Sequence, residues 1–436
     1  MSLSSAAGAA PSCRYRALIV ILDGVGDRPA PVLDGLTPLE AAATPNLDAL
    51  AARGQSGLVD PLSPGMPVDT HTGAAALMGV AAKQLPKIAR GPIEAVGSGM
   101  DIQADDVLLR CNFATMATGF DSERILDRRA GRIREGTEEL AAALRGIELP
   151  GAVSADFAAG TQHRGVLRLR GPLLSAEISD TDPGAGVTCP YLQPCQGLDS
   201  GGEAARVTAH AVNQFLAVAR QRLTGHRVNL AREQAGLPPA NGILTRNAGR
   251  AHALRGLASA LGLRCAVVAG ERTILGLASL LGYSGLSEEA FTSSLDSDFS
   301  RKAELAGEAL MEHDIVFLHI KAPDICSHDL DPAGKRDVLM RIDKALAPLL
   351  AHPDLIVAVS GDHSTDSNTG KHCGDPLPTI FAAPTGRVDA VASYAESACA
   401  QGGLGRLRSA DLFVSILDAM GALENYSPSL ESFLPW

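Results

Sequence analysis

The stretch that most constrains the fold is residues 355–363, with the sequence LIVAVSGDH. Its first six residues are mostly apolar and rich in β-branched side chains, which is typical of a buried central strand. Gly361 ends the strand in a turn, and Asp362 and His363 follow at once. Open α/β sheets bind ligands beyond the carboxyl ends of their strands. A carboxylate and an imidazole there indicate a functional site, although a Gly-Asp-His turn can also be only a satisfied loop.

A second stretch, near the amino terminus, has the same form. Residues 16–22 (RALIVIL) predict a buried strand, and Asp23 opens the Asp-Gly loop after it, although such a pair more often only forms a turn. Two Thr-Pro pairs predict helix starts, one over residues 37–42 and one at Thr44. Further elements alternate later in the chain: strands are predicted at 265–269, 314–320 and 379–383, and helices at 254–261, 273–281, 301–313, 335–350 and 410–420. This alternation indicates an α/β fold.

Residues 64–79 (PGMPVDTHTGAAALMG) combine a Gly/Pro loop with the start of a helix. Thr70 and Thr72 flank a histidine where that helix begins. A threonine at this place is usually only a cap. In the alternative interpretation, free amides and the helix dipole hold a phosphate there and the hydroxyl attacks it. Two threonines beside a histidine are more than capping requires, but the sequence alone does not choose between the two interpretations.

The pattern changes after this helix. The following segment contains a predicted strand at 107–115, an alternating pattern after His163 and Arg164, and an amphipathic helix at 207–223. We interpret residues 85–250 as one inserted domain. The main domain is then predicted to comprise residues 14–84 and 251–436.

Composition excludes several classes of protein. A chain of 436 residues can bury a large core and is expected to form two domains. The net charge of −11 and the lack of a long basic run argue against nucleic-acid binding. The eight cysteines form no C-x-x-C pair, so we expect reduced thiols in a cytoplasmic protein. No apolar run has the length of a membrane span, and the first dozen residues predict only a disordered leader.

Two groups of residues have the chemistry of metal ligands. Asp324 and His328 are spaced i, i+4 and would face the same side of a helical turn. With His372 they form a carboxylate-plus-two-imidazole set that suits Zn²⁺ or Mn²⁺. A second set would consist of Asp23, Asp362, His363 and a threonine hydroxyl. Any one of these residues is more often structural, but their repeated position after apolar strands favours a two-metal site for phosphoryl chemistry.

These motifs resemble those of the archaeal type of cofactor-independent phosphoglycerate mutases, in the alkaline phosphatase superfamily. The matching segments cover most of the chain in the family's order: ILDGVGDRP, TPLEAAATPNLDALAARG, RGPIEAVGSGM, RCNFAT, GTQHRGVLRLRG, SDTDP, ANGILTRNAG, HIKAPDICSHD, RIDKAL, SGDHST and GKHCGDPLP. The resemblance implies an alkaline-phosphatase-like core, with a central, mostly parallel sheet flanked by helices. It also implies that the inserted segment is a smaller α/β or α+β cap domain.

The resemblance further implies two divalent metal ions, Mn²⁺ or Zn²⁺ and alternatively Co²⁺ or Mg²⁺, and no requirement for bisphosphoglycerate. One ion would be bound by Asp324, His328 and His372. The other would be bound by Asp23, Asp362, His363 and the nucleophilic hydroxyl. That hydroxyl would attack the substrate phosphate, form a phosphoenzyme and return the phosphate to a different hydroxyl.

The same resemblance implies a small phosphorylated acid as substrate and no nucleic-acid or membrane partner. The inserted domain would close over the site and hold the glycerate with basic side chains, for which the candidates are Arg90, His163, Arg164 and Arg246. Each of these four residues could equally belong to a surface ion pair. Lys321 is expected to face the phosphate.

Three departures from the family pattern concern the nucleophile and the substrate. The family usually has a motif like SDTxH, where this chain has THTGA. An ungapped count places Thr70 at the serine position and Ala74 where a histidine is usual, whereas a gapped alignment would choose Thr72. Asn247 replaces a usual glycine, and residues 80–88 also differ.

We therefore expect interconversion of 3-phosphoglycerate and 2-phosphoglycerate through a phosphothreonine. One alternative is a phosphatase or phosphotransferase acting on another small phosphorylated or phosphonate acid. An alternative of another class is a non-catalytic, metal-stabilised binding protein. The intact ligand sets argue against this last alternative, because a pseudoenzyme has no evident need for both.

Overall fold

The computed structural model describes residues 13–81, 83–85, 88, 90–184, 187, 190–251 and 254–424. The leader predicted for the first dozen residues lies outside these ranges. The strands are β1 (Arg16–Leu22), β2 (Gln55–Asp60), β3 (Val107–Met116), β4 (Ile125–Asp127), β5 (Ile147–Leu149), β6 (Val153–Ala159), β7 (Arg164–Arg170), β8 (Gly242–Gly249), β9 (Cys265–Val268), β10 (Ser284–Leu286), β11 (Ile315–Ile320), β12 (Leu355–Ser360), β13 (Ser364–Asp366), β14 (Lys371–Cys373), β15 (Leu377–Ala382) and β16 (Gly405–Arg408).

The helices differ widely in length. They are α1 (Pro45–Ala52), α2 (Thr70–Leu77), α3 (Arg90–Gly97), α4 (Thr137–Ala142), α5 (Gly202–Leu223), α6 (Arg227–Gln234), α7 (Leu257–Ala260), α8 (Arg272–Leu280), α9 (Phe299–Ala309), α10 (Ala322–His328), α11 (Pro332–Leu350), α12 (Glu396–Cys399) and α13 (Ser409–Ala419). Short 3-10 turns cover Pro31–Leu33, Gly119–Asp121, Ala130–Arg132 and Asp199–Gly201. No helix in the described ranges is both long enough and apolar enough to cross a membrane.

The chain contacts divide the protein into two compact units. The first unit contains the chain up to residue 88 and again from residue 254, and the second unit contains the residues between 89 and 253. The second unit is thus continuous in sequence, whereas the first unit is built from two separate segments. The role of the second unit as a cap domain remains a prediction.

The first unit is built on a sheet of eight strands in the order β10-β9-β11-β1-β12-β15-β2-β16. The strands from β10 to β12 in this order are parallel, and β15 runs antiparallel to both of its neighbours. Sheets that are covered on both faces need apolar side chains on both. The strands β1, β11 and β12 meet this requirement, because every residue in them except Arg16 is buried. The prediction of an α/β fold with a mostly parallel central sheet is confirmed.

The register of the three central strands brings their carboxyl ends together. Leu22 is the partner of Ile320 across β1 and β11, and Ile21 is the partner of Ser360 across β1 and β12. The residues that directly follow these strands therefore lie side by side at one edge of the sheet. This edge is the position where open α/β sheets bind their ligands.

The second unit has its own sheet and its own core. Its strands follow the order β4-β3-β7-β6-β5, and β8 pairs with the other edge of β3. One face of β3 packs into a core with the ring pairs Phe113–Phe157 and Phe157–Phe215, whose centroids lie 5.3 and 6.2 Å apart. Because side chains alternate along a strand, Arg110 points to the opposite face. That face bears the basic side chains described below.

The helix predicted over residues 37–42 is wrong. Thr37 and Glu40 make the reciprocal hydrogen bonds of a capping box, with Thr37 N donating to Glu40 Oε2 and Glu40 N to Thr37 Oγ1, both at 3.0 Å. Only a turn follows, and α1 then begins at Pro45, as predicted. The capping box forms, but too few residues separate it from the next proline, Pro45, for helical hydrogen bonds to propagate.

Candidate active site

Most of the predicted ligands come together at the carboxyl edge of the central sheet. Asp23 follows β1, and Asp362 and His363 follow β12. The short helix α10 follows β11 and places Asp324 and His328 on one side, four residues apart. The remaining histidine, His372, lies on β14, which pairs with β13 next to this edge. Asp23, Asp324, Asp362 and His363 are completely buried.

Thr70 reaches the same edge from the first turn of α2. Its Oγ1 lies 3.1 Å from His363 Nε2 and 3.4 Å from Lys321 Nζ. The helix can approach this closely because Gly73 has no side chain: a Cβ on Gly73 would lie 1.8 Å from the carbonyl oxygen of Asp362. Thr72 is half-buried, and among the described residues its side chain makes no hydrogen bond to this group.

Asp23 lies at the centre of the group. His319 Nε2 and Lys321 Nζ lie 3.0 and 2.9 Å from Asp23 Oδ2, and His363 Nε2 lies 3.1 Å from Oδ1. None of these approaches is aligned as a hydrogen bond, and within the described ranges both oxygens of Asp23 lack a hydrogen-bond partner. His319 was not predicted as a site residue.

Asp324 forms the second centre. Its Oδ2 lies 3.3 Å from His328 Nε2, and its Oδ1 lies 3.9 Å from His372 Nε2. The rings of His363 and His372 are stacked with their centroids 3.8 Å apart. Three groups have possible ligand atoms within 4.8 Å of one another; they are Asp324 with His328 and His372, Asp23 with Asp324 and His363, and Asp23 with His319 and Asp362.

Four histidines lie at this edge of the sheet, and three of them are held in place by a hydrogen bond at Nδ1. His328 Nδ1 lies 2.8 Å from the carbonyl oxygen of Gly370, and His372 Nδ1 lies 2.7 Å from that of Val68. Because a carbonyl only accepts, both Nδ1 atoms carry the proton and Nε2 has its lone pair free. This is the usual arrangement of metal-binding histidines. His319 differs, since neither of its ring nitrogens has a hydrogen-bond partner among the residues that the structure describes.

Thr365 connects His363 with Asp324. Its hydroxyl donates to Asp324 Oδ1 at 2.8 Å and lies 3.0 Å from His363 Nδ1. Since the hydroxyl proton is directed at the carboxylate, the hydroxyl oxygen accepts the Nδ1 proton of His363. When His363 is neutral, the lone pair of its Nε2 atom is therefore also directed toward Thr70 and Asp23.

Lys321 determines the charge state of two carboxylates. Its Nζ lies 2.6 Å from Asp324 Oδ2 and 2.9 Å from Asp23 Oδ2. Burial alone would raise the pKa of Asp23 and of Asp324, but the ammonium of Lys321 and the neighbouring histidines together outweigh it and hold both pKa values well below the usual range. Both carboxylates are therefore ionised at neutral pH.

Asp362 and His363 are shifted in the opposite direction. Burial and the nearby charge of Asp23 raise the pKa of Asp362 to about 6. Burial lowers the pKa of His363, but Asp362 and Asp23 outweigh it and raise that pKa to about 9. These shifts have one physical cause: the protein places three carboxylates in a buried region, and positive charge there is stabilised.

The donor set fits divalent metal ions. Both oxygens of Asp23 and Asp362 Oδ2 are buried and have no hydrogen-bond partner in the part of the chain that the structure describes, and leaving such groups unsatisfied costs free energy. Carboxylate oxygens combined with imidazole nitrogens are ligands of Zn²⁺ and Mn²⁺. The residues that would hold the ions are the predicted ones: Asp324, His328 and His372 for one, and Asp23, Thr70, Asp362 and His363 for the other.

The second unit contains a separate cluster of basic side chains. Arg110 on β3 and Arg246 on β8 are direct partners across the two strands, so two like charges face each other. Asp182 Oδ2 lies 3.8 Å from Arg246 Nη1, and Glu94 Oε1 lies 3.0 Å from Arg110 Nε. The Nε atoms of both arginines are buried and have no hydrogen-bond partner among the described residues. Arg110 was not predicted as a site residue.

Other predicted basic residues belong to the same cluster. Arg90 donates from Nε to Glu94 Oε1 at 2.8 Å, so one glutamate faces two arginines. Burial, Arg90 and Arg246 lower the pKa of Arg110 to about 9. Burial and the neighbouring Arg164 lower the pKa of His163 to about 3, so this histidine is neutral at physiological pH. An excess of positive charge of this kind suits an anionic ligand.

Asn247 takes the place of a glycine for a visible reason. Its φ of 52° lies in the left-handed region, which asparagine tolerates better than other non-glycine residues. Its backbone N–H donates to Asp180 Oδ1 at 2.9 Å. Asparagine is therefore compatible with the irregularity in β8 that directly follows Arg246.

Comparisons with known proteins agree with this geometry. A sequence profile of the 2,3-bisphosphoglycerate-independent phosphoglycerate mutases matches residues 51–229. A protein of that name from Methanoculleus marisnigri is 40% identical over 415 residues, covering 94% of this chain and 98% of its own. Another, from Methanopyrus kandleri, is 39% identical and covers 94% and 97%.

Two solved structures have the same fold. The cofactor-independent phosphoglycerate mutase of Thermoplasma acidophilum matches with a TM-score of 0.65 and 32% identity, covering 93% of this chain and all of its own. The PH0037 protein of Pyrococcus horikoshii matches with a TM-score of 0.78 and 28% identity, covering 94% and 98%. By sequence and by fold, the chain belongs to the 2,3-bisphosphoglycerate-independent phosphoglycerate mutase family of enzymes.

Proposed function

We propose that the protein interconverts 3-phosphoglycerate and 2-phosphoglycerate through a phosphothreonine at Thr70. The observation that carries this proposal is the position of Thr70 Oγ1, 3.1 Å from His363 Nε2 and 3.4 Å from Lys321 Nζ, beside three buried carboxylates. A threonine that only capped the helix would need none of these partners. The names of the relatives, which share 39 and 40% of their residues with this chain, support the substrate.

The reaction requires two transfers of the same phosphoryl group. In the first, a bond forms between Thr70 Oγ1 and phosphorus while the bond to the substrate oxygen breaks. In the second, the other hydroxyl of the retained glycerate attacks the phosphothreonine and Thr70 Oγ1 leaves. Lys321 Nζ, which lies beside Thr70 Oγ1, stabilises negative charge on the transferred group in both steps.

Metal ions fit this scheme at the two ligand sets described above. When bound, they lower the pKa of the Thr70 hydroxyl and offset charge on the phosphoryl group. Thr365 and the carbonyls of Gly370 and Val68 hold Nδ1 of His363, His328 and His372, which would leave the Nε2 atoms of these residues available as ligands. Oxygen and nitrogen donors together favour Mn²⁺ or Zn²⁺ over Mg²⁺.

The carboxylate of the substrate is proposed to bind the basic cluster of the second unit. The guanidinium groups of Arg110 and Arg246 offer donors in the planar arrangement that suits a carboxylate. The ligand would also relieve the repulsion between these two facing arginines, which Asp182 and Glu94 only partly offset. Arg90, Arg164 and neutral His163 complete the proposed binding residues.

The experiment that tests the proposal is a phosphorus NMR time course with Mn²⁺-loaded protein and 3-phosphoglycerate. We expect 2-phosphoglycerate to appear without free inorganic phosphate. Inorganic phosphate alone would overturn the mutase proposal in favour of a phosphatase. No change in the spectrum while metal is bound would point to a different phosphorylated or phosphonate acid, and bound metal without turnover of any such acid would favour the non-catalytic, metal-stabilised binding protein.

A further inference from the structure

Lys335 is a buried lysine on α11, below the loops that carry the metal ligands. Its side chain is completely buried. Its Nζ donates to the carbonyl oxygen of Gly24 at 2.7 Å, to Asp27 Oδ2 at 2.8 Å and to the carbonyl oxygen of Thr365 at 3.2 Å, and it lies 3.5 Å from that of Gly26. The ammonium thus has four oxygen neighbours, which is the environment of a bound cation.

These oxygens belong to two separate loops. Gly24, Gly26 and Asp27 are in the loop after β1, directly beyond Asp23, whereas Thr365 is on β13, two residues beyond His363. Both loops are thereby tied to α11, the helix that follows α10 and its ligand Asp324. One side chain therefore connects the two loops that carry Asp23 and Asp362 with the helix that directly follows α10.

Two further hydrogen bonds join the same two loops directly. Thr365 N donates to the carbonyl oxygen of Gly26 at 2.9 Å, and Ser367 N donates to Asp27 Oδ1 at 2.9 Å. Gly24 has a φ of 66°, and a Cβ at this residue would lie 2.8 Å from Thr365 Oγ1. A small displacement of either loop would therefore move Thr365, whose hydroxyl holds both Asp324 and His363.

A purely structural role explains Lys335 poorly. Burying an ammonium is costly unless it is fully bonded, and a pair of apolar side chains in place of Lys335 and Asp27 would pack here without that cost. Val338, Leu339 and Ile342 show that the buried face of α11 is otherwise mostly apolar. The charge is placed where three backbone carbonyls and one carboxylate converge.

We propose that Lys335 is a positioning residue for the metal centre. Its ammonium acts as a built-in structural cation that sets the spacing between Asp23 and the Asp362–Thr365 segment. The inference deepens the proposed function, because it assumes that this ligand set binds divalent metal. It assigns to Lys335 no contact with the substrate.

The first test measures metal affinity without substrate. Metal-free protein is titrated with Mn²⁺, and free Mn²⁺ is followed by electron paramagnetic resonance. We expect Lys335→Met to weaken Mn²⁺ binding by about tenfold or more, as with other groups that orient metal ligands. The matched control is Asp343→Asn on the same helix: Asp343 is buried and accepts from the backbone N–H groups of Asn46 and Leu47 at 3.1 and 2.8 Å.

The control separates positioning from stability. Asp343→Asn should lower the melting temperature and leave the Mn²⁺ affinity unchanged. If Lys335→Met lowers the melting temperature in the same way and binds Mn²⁺ as tightly as the wild type, the inference is overturned. Because binding is measured without substrate, a wild type that binds Mn²⁺ but does not convert 3-phosphoglycerate refutes the proposed function and still tests Lys335.

A second variant keeps the inference testable if Lys335→Met does not fold. Lys335→Ala leaves space for a small cation, so it is prepared and titrated with Mn²⁺ in ethylammonium chloride. The matched control contains tetramethylammonium chloride, whose cation has no N–H to donate. We expect ethylammonium to restore folding and Mn²⁺ affinity and tetramethylammonium not to do so. Equal affinity in both salts would contradict the proposal.

Discussion

Thr70 and Thr72 differ by two residues in position and strongly in surroundings. Thr70 Oγ1 contacts His363 and Lys321, whereas Thr72 is half-buried and makes no hydrogen bond to this group in the described ranges. We expect Thr70→Ala to abolish incorporation of ³²P from labelled substrate into the protein. Thr72→Ala should retain it, and Thr70→Ser should restore it because the hydroxyl is kept. Labelling of Thr70→Ala with loss of labelling in Thr72→Ala would assign the nucleophile to Thr72.

Arg110 supports a second prediction at the level of single residues. Because its guanidinium is buried beside Arg246 and Arg90, we expect Arg110→Met to raise KM for 3-phosphoglycerate by roughly ten- to a hundredfold, the usual effect of losing a charged hydrogen bond. The variant Arg110→Lys should not have the KM of the wild type, since lysine cannot reproduce the planar donors of arginine. Steady-state kinetics checks both variants.

The control for this prediction is Arg222→Met, which removes the same charge from the surface of the same unit. Arg222 is exposed on α5 and donates from Nη1 to the carbonyl oxygen of Ala143 at 2.9 Å. Its KM should equal that of the wild type. An equal change of KM in both variants would mean that only net charge matters, and Arg110 would then have no specific role.

The sequence identified the site residues that follow apolar strands and missed two that lie inside buried strands. Asp23, Asp362 and His363 follow apolar runs directly, and such positions are recognisable because the chain must leave the sheet there. Arg110 and His319 lie within buried strands, where a polar residue has no distinct signal without knowledge of which face it occupies. The register that sets Arg110 opposite Arg246 arises only from pairing between strands far apart in sequence.

Among the secondary-structure elements, α2 has the strictest packing requirement. Because a Cβ on Gly73 would lie 1.8 Å from the carbonyl oxygen of Asp362, Gly73→Ala must displace the helix or the strand end. We expect a loss of about 1–3 kcal/mol in the free energy of unfolding, as for other overpacked sites, together with weaker ³²P labelling at Thr70. Urea denaturation followed by circular dichroism measures the first effect.

Gly307→Ala on α9 is the matched control for this change. Gly307 lies inside a helix, and an added Cβ would meet only Leu349 Cδ2, at 3.3 Å. Alanine also favours helix more than glycine does. This variant should be as stable as the wild type or more stable, and a similar loss in both variants would show that the contact with Asp362 is not the cause.

A local signal such as a capping motif predicted secondary structure less reliably than the pattern of apolar residues did. The strands β1, β11 and β12 agree with the apolar runs because burial on both faces imposes those runs. The cap at Thr37 predicted a helix that does not form, since a capping box stabilises any single turn and cannot extend it. Helix length depends on the packing that follows, which the cap does not encode.

At the scale of the whole molecule, metal removal should lower stability. The negative charges of Asp23, Asp324 and Asp362 are gathered in one buried region, so bound cations favour the folded state. Saturation at a hundred times Kd adds about 2.7 kcal/mol per site to the free energy of unfolding. We expect EDTA to lower the melting temperature and Mn²⁺ to restore it, as measured by differential scanning calorimetry.

Two variants test whether the protein binds metal at two separate sites. His328→Ala and His363→Ala should each reduce the bound metal, measured by plasma mass spectrometry, from two ions to one. His210→Ala provides the control, because His210 is exposed on α5 in the second unit. Unchanged metal content in both site variants would exclude the two-site arrangement.

The central place of β1 has a consequence for the synthesis of the protein. Ala17 pairs with Ile315 and Arg16 with Leu355, so both neighbours of β1 leave the ribosome long after β1 itself. At roughly 5–20 residues per second, the delay is roughly 15–60 s. The second unit lies entirely within this interval and has its own core. It is therefore complete first, and the apolar nascent β1 must be kept from aggregating, by chaperones or by transient contacts, until β11 and β12 arrive.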